Sequence, residues 1–258
     1  MRECEKRFNL SELQSEVPSD RGELFLSYWP TERVVGDWKQ TWFQRLQTRG
    51  DRPATRGVYC DPENIRRRLL VEITECASAW DAIDELAVQL TGNNAPSFES
   101  GPKTLGKTCL VQPAENPTAI YFTRGNLSIR VSNFGPVRAD PQEFAKRIAD
   151  ELDATSEQVS EGLRLNRVRT ENSDPDTPFA VEYKSRWKPG KESYMRCRVK
   201  GGTVERGEDG RVLVKRATKA GVKVKGFIVE EGRETICGRI EVRGRRGGRG
   251  TKRRDGRR

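Results

Sequence analysis

The chain has 258 residues, of which 34% are hydrophobic and 33% charged, and a formal net charge of +10. That length admits one large domain or two small ones, and the low apolar fraction predicts long loops and at least one segment that joins no core. No run of about 18 apolar residues occurs, which excludes a membrane-spanning helix. With no histidine in the chain, Ser-His and Cys-His nucleophile pairs and every His-ligated metal site are excluded too.

Residues 1–65 read as a tryptophan-rich arm. Trp29, Trp38, Trp42 and Phe43 stand among Arg, Lys and Asp, residues 32–46 suit a short helix, and Pro18, Pro30, Pro53 and Pro62 break the rest into loops. Aromatic side chains beside cations either stack on bases or sugars or pack onto a neighbouring domain, and packing is the commoner fate of large aromatics.

Residues 66–154 read as an α+β domain. Leu69, Val71 and Ile73 alternate as in a strand. Ser78 is placed to cap a helix that carries Trp80, Ile83, Ala87 and Leu90 on one face and ends at Gly92. Asp81 and Glu85 share a face of that helix; such a pair serves acid–base chemistry or, more commonly, a solvated surface. Leu110-Val111 and Ala119–Phe122 are short strand candidates, and Arg124-Gly125-Asn126 turns the second into the alternation of Leu127, Ile129 and Val131, a hairpin. Asp140-Pro141-Gln142-Glu143 opens a second helix with Phe144, Ala145, Ile148, Ala149 and Leu152 as its apolar stripe. The order β-α-β-β-β-α predicts a central antiparallel sheet with two helices on one face.

Inside this domain Gly101-Pro102-Lys103-Thr104-Leu105-Gly106-Lys107-Thr108 fits the phosphate-loop pattern. In that role Gly101 and Gly106 expose backbone N–H groups to a nucleotide, Lys107 reaches its phosphates and Thr108 holds magnesium. The surrounding sequence points to a turn instead. Pro96–Ser100 is no buried strand, Cys109-Leu110-Val111 is strand-like, and Pro113 and Pro117 oppose a following helix.

Residues 155–178 are polar and read as a linker. Residues 179–242 read as all-β, with strands over 179–183, 194–199, 212–215, 222–229 and 235–242 separated by glycine turns. The stretch GGTVERGEDGRVLVKRATKAGVKVKGFIVEEG resembles bacterial immunoglobulin-like domains in its glycine punctuation. The resemblance implies a small sandwich-like fold and directs attention to Cys197 and Cys237 as a disulfide. Cys197 shares a face with Met195 and Val199, whereas Cys237 opposes the face of Ile236 and Ile240; a bulge at Gly238 would realign it. Trp187 precedes Cys197, unlike the tryptophan of antibody-type domains. The hairpin YFTRGNLSIRVSN resembles one in uncharacterised bacterial extracytoplasmic domains, which implies export; read literally, Met1 and the polar residues after it imply cytoplasm.

Residues 243–258 carry +8: Arg243, Arg245, Arg246, Arg249, Lys252, Arg253, Arg254, Arg257 and Arg258 against Asp255. The other 242 residues carry only +2. Arg/Gly sequence has nothing to bury, so a disordered basic tail is expected, with arginine forks suited to phosphates and bases. The sequence as a whole predicts a non-catalytic binding protein without metal or cofactor, its tail on a polyanion such as nucleic acid or an anionic envelope polymer. The alternatives are an exported protein with an immunoglobulin-like domain and a phosphate-loop enzyme.

Overall fold

The computed structural model describes residues 22–48, 51–91, 98–106, 108–112, 118–154, 157–159, 164–167, 178–184, 193–208, 211–216, 221–230 and 233–243. The fold is α+β, built mostly of antiparallel sheet, and no helix among the described residues is long and apolar enough to cross a membrane.

Residues assigned to an N-terminal arm are part of the sheets. They form β1 (Glu23–Leu26), a single-turn helix α1 (Glu32–Val35), β2 (Lys39–Gln47) and β3 (Pro53–Cys60). The helix expected over 32–46 stops after one turn because Gly36, at φ +59°, closes it with an N–H bond to the Glu32 carbonyl. Beyond it, Thr41, Trp42 and Phe43 suit an extended backbone, and antiparallel pairing with β3 outweighs the weak helical pattern.

The domain expected over 66–154 has the anticipated elements, with a two-residue strand and a 3₁₀ turn added ahead of the last three expected strands. It contains β4 (Arg68–Glu75), α2 (Ala79–Thr91), the two-residue β5 (Glu99–Ser100), a 3₁₀ turn (Lys103–Leu105), β6 (Cys109–Gln112), β7 (Ala119–Arg124), β8 (Leu127–Asn133) and α3 (Pro141–Asp153). Ser78 Oγ accepts the Asp81 N–H and donates to the Asp81 carboxylate, and Asp140 accepts the Gln142 N–H, so both helix starts follow their sequence signals. Gly125, at φ +51°, is the first residue of the two-residue β7–β8 turn, the position a II′ hairpin reserves for glycine.

These strands join β2 and β3 in a seven-stranded antiparallel sheet, ordered β2-β3-β4-β8-β7-β6-β5. The helices lie on opposite faces of it, which corrects the one-face expectation. Phe144, Ile148 and Leu152 of α3 pack with Val71, Ile120, Phe122, Ile129 and Val131, whereas Leu86, Ala87 and Leu90 of α2 pack with Ala119 and Tyr121. The unbroken apolar run of β7 is the mark of a strand covered on both sides. Trp80 is not on the buried stripe of α2, which consists of Ala79, Ala82, Ile83, Leu86, Ala87 and Leu90.

The remaining strands are β9 (Glu157–Val159), β10 (Arg164–Arg167), β11 (Phe179–Lys184), β12 (Ser193–Lys200), β13 (Gly202–Arg206), β14 (Val212–Arg216), β15 (Gly221–Glu230) and β16 (Arg233–Arg243). Two of them fall within the expected linker, and β13 lies where only a turn was read. They form a five-stranded sheet β1-β12-β15-β16-β9 and a four-stranded sheet β10-β11-β14-β13. Leu24, Cys197, Val222 and Val224 of the first meet Phe179, Val181, Val204, Val212 and Val214 of the second in one core. The other face of the five-stranded sheet supplies Phe25, Tyr194 and Val229 to the core beneath α3. Burying about 1.5–3 kcal/mol of side chain at each such position binds the two units into one body.

Candidate functional site

The hairpin β2–β3 is the basic, open margin of the large sheet. Between Lys39 and Cys60 it carries five Lys/Arg against one acid, Asp51. The register puts Trp42 opposite Val58, Gln44 opposite Arg56, and Arg56 opposite Glu72, all on the face that α2 occupies further along. There α2 packs over β4, β8 and β7; Lys39, Trp42 and Gln44 of β2 and Arg56 of β3 stay exposed, whereas Ala54, Val58 and Cys60 of β3 are buried on the same face. A bulge at Thr41, between Gln40 and Trp42, sends Gln40 to the α3 side and Trp42 to the open side. Gln40 donates to the Tyr59 hydroxyl at 3.2 Å. Trp42 stays 45% exposed, whereas Trp29 is 7% exposed and stacks on Tyr59 with Phe43 edge-on.

Where the open strands meet the flank of α2 there is a cleft of about 260 Å³. Arg56 Nε and Arg130 share the Glu72 carboxylate, at 2.5 and 2.9 Å, and Arg52 binds Glu85 at 2.7 Å. Arg130 also lies over the Tyr121 ring, 5.4 Å from its centroid. The Thr48 and Thr55 hydroxyls are buried and have no hydrogen-bond partner among the described residues; the register sets Thr55 opposite Arg45, on the other face of the hairpin. The cleft thus offers fixed arginines and an apolar wall from Leu46, Ala54 and Val88, a lining suited to holding a polar molecule.

A second cleft, of about 230 Å³, opens on the opposite face of the same hairpin, among Tyr28, Trp29, Phe43, Arg45 and Glu75. Arg45 lies over the Phe43 ring, and Glu75 accepts the Ser27 N–H at 2.7 Å and pairs with Arg206. Burial raises the Glu75 pKa against the pull of those partners. Behind this cleft, burial also lifts Glu151 to about 7, although Thr31, Tyr28 and Arg33 favour its charged form.

The glycine-rich segment is a turn. The N–H groups of Gly101, Leu105 and Gly106 bind the carbonyls of Cys109, Pro102 and Lys103, so none faces a phosphate. Thr108 is buried, and the chain continues into β6, not a helix; Lys107 lies outside the described residues. A phosphate cradle needs free N–H groups at a helix start; here the N–H groups of both glycines are taken and the segment leads into a strand. Asp81 is occupied by the helix cap and Glu85 by Arg52 and Gln89, so the carboxylate pair is structural.

Cys197 is buried on β12 opposite Gly226 of β15, and Gly226 is opposite Gly238 of β16. A bulge does occur at Cys237, next to the expected glycine. The strand between them nevertheless holds the two cysteine backbones about 9–10 Å apart, beyond the roughly 4.4–6.8 Å that a disulfide spans. Of the tail, only the backbone of Arg243 is described, as the last residue of β16; Arg245, Arg246, Arg249, Lys252, Arg253, Arg254, Arg257 and Arg258 lie outside the described residues. Among the described residues no group of three or more acidic or cysteine side chains is placed to hold a metal ion.

Sequence reasoning missed the open hairpin because its signal, cations spaced through a strand-forming run, was read as a helix. Comparison with protein-family models, with curated proteins and with solved structures finds no match for the chain.

Proposed function

We propose that the protein is a non-catalytic binding protein whose basic tail engages a polyanion, with nucleic acid as the principal candidate. The observation that carries this reading is the concentration of nine Lys/Arg in residues 243–258, against a net +2 over the rest of the chain. Closely spaced guanidinium groups release counterions from a phosphate backbone, so binding falls steeply with salt. The body, an α+β sheet joined to a small sandwich-like unit, would hold the tail beside a folded surface that adds selectivity.

The test is a salt series with short single-stranded RNA and DNA. It compares the full chain with a full-length variant carrying glutamine at Arg245, Arg246, Arg249, Lys252, Arg253, Arg254, Arg257 and Arg258. The reading expects a log–log slope of about −0.7 for each neutralised phosphate and a large loss in the variant. Equal binding by the two proteins overturns it.

An exported, immunoglobulin-like protein is the second reading. The two sheets that share one core, drawn mainly from residues 179–242 with Leu24 of β1, favour it. Its check is the native amino terminus and cellular fraction of the protein purified from its source.

A further inference from the structure

We propose that the exposed side of β2, with Arg56 of β3 beside it, is a contact surface for single-stranded nucleic acid, with Trp42 stacking on a base and Arg56 and Lys39 contacting the backbone phosphates. This rests on the polyanion reading and adds a second, folded element to it.

Two observations converge on this surface. An exposed indole forgoes the gain that burial would bring, and it does so where the bulge at Thr41 turns Trp42 out of the core that Trp29 enters. Solvent-facing aromatic rings on an uncovered sheet are the usual platform for unpaired bases, since every base has a π-face. The charge complements a phosphate backbone: the hairpin holds a net +4, so the modest +2 of residues 1–242 conceals a basic margin on an otherwise slightly acidic body.

Geometry links the two. Arg56 is the diagonal neighbour of Trp42 on one sheet face, a spacing of about 7–8 Å that long side chains bridge. Glu72 holds its Nε and fixes the guanidinium in place, while the side chain stays about half exposed. Beside them, the cleft between the hairpin and α2 has room for a sugar or a neighbouring base.

Strand addition by a peptide is the rival use of an edge strand. The bulge at Thr41 interrupts the register such pairing needs, and Lys39 and Arg45 guard the strand in the way edges are commonly protected. Stacking uses the side chain that the bulge exposes and needs no backbone register.

The test uses a fluorescein-labelled single-stranded oligonucleotide of about 12 nucleotides, with poly-glutamate as a charge-only competitor. Measurements are made at about 0.15 M salt on the full chain and on the full-length tail-neutralised variant. In both backgrounds Trp42→Ala is expected to weaken oligonucleotide binding about tenfold and Trp42→Phe to retain most of it. Lys39→Ala and Arg56→Ala are each expected to reduce the salt slope by about 0.7. Competition by poly-glutamate should not depend on Trp42.

Trp42→Ala and Arg56→Ala proteins that bind like the parent, alongside lost binding in the tail-neutralised variant, would overturn the hairpin site and leave the tail reading standing. Equal sensitivity of poly-glutamate and oligonucleotide to Trp42→Ala would overturn the stacking role. No binding by the parent chain would remove both readings. A matched melting temperature for each variant shows that the loss is not unfolding, since Trp42 lies outside the core.

Discussion

The side-chain amide of Asn126 pairs with the backbone of Phe25 as a neighbouring strand would. Its Oδ1 accepts the Phe25 N–H at 2.6 Å, and its Nδ2 donates to the Phe25 carbonyl at 2.9 Å. The second Nδ2 proton goes to the Cys76 carbonyl at 2.9 Å, and the Asn126 carbonyl takes the Cys76 N–H. A fully buried amide in the β7–β8 turn thereby ties β1 of the five-stranded sheet to the end of β4 in the large sheet. Asn126→Ala removes three side-chain hydrogen bonds and leaves buried backbone groups without partners, so it should lower unfolding free energy by about 3 kcal/mol. Asn126→Asp loses both donors and buries a charge, and should cost at least as much at neutral pH. Urea unfolding of both variants measures this; a loss below about 1 kcal/mol would mean that water replaces the clip.

Gly57 permits the Trp29 indole to lie flat on β3. A Cβ there would come 2.5 Å from Trp29 Cζ2, so Gly57→Ala must push the ring off its stack with Tyr59. Overpacking of this kind costs about 1–3 kcal/mol. The variant should melt earlier and show a tryptophan emission shift; unchanged melting and emission would show that the ring has slack.

Stability should depend on pH through Glu151. Burial holds its carboxyl near 7 in the folded state, against an ordinary value of 4.5. Between those values the folded protein keeps a proton that the unfolded chain has released. The stabilising contribution is therefore complete below about pH 4.5 and is lost as pH rises through about 7, a change of order 3 kcal/mol. Glu75, also raised by burial, acts in the same direction. Glu151→Gln should flatten much of this slope and melt higher than the parent at pH 8, as calorimetry across pH would read. Equal slopes in parent and variant would refute the assignment.

The buried thiols should be inert until the protein opens. Burial pushes Cys76 and Cys109 up to about 12, so almost no thiolate exists near pH 8. Peptide mapping after iodoacetamide should find both unmodified in the native protein and both modified in denaturant. Rapid native labelling of either would reveal local opening of the large sheet.

Glu75, which lines the second cleft, joins the two units through its ion pair with Arg206. Arg206→Ala leaves a carboxylate that is 10% exposed with only the Ser27 N–H, and should cost about 2–3 kcal/mol. The double variant Glu75→Gln/Arg206→Ala should recover part of that loss, because no charge is then stranded. A double-mutant cycle by chemical denaturation decides it, and additive effects would mean that the pair is uncoupled.

Local signals in the sequence determined a good deal. Ser78 and Asp140 mark helix starts because their side chains satisfy N–H groups that the helix leaves open, and Gly125 marks a turn because only glycine takes its backbone angle without cost. Alternation located β4, β8 and most strands after residue 178. Tertiary structure decided the rest. Which face of the sheet each helix covers depends on β7 being apolar on both sides, and alternation in one strand cannot tell one face from the other. That Trp29 enters the core while Trp42 faces outward follows from a one-residue bulge and from strand partners distant in sequence. Residues 23–60 looked like an arm because the sequence around β1–β3 is polar and broken by prolines. Their place in two sheets comes from pairing with β12 and β4, long-range contacts that local propensity does not encode.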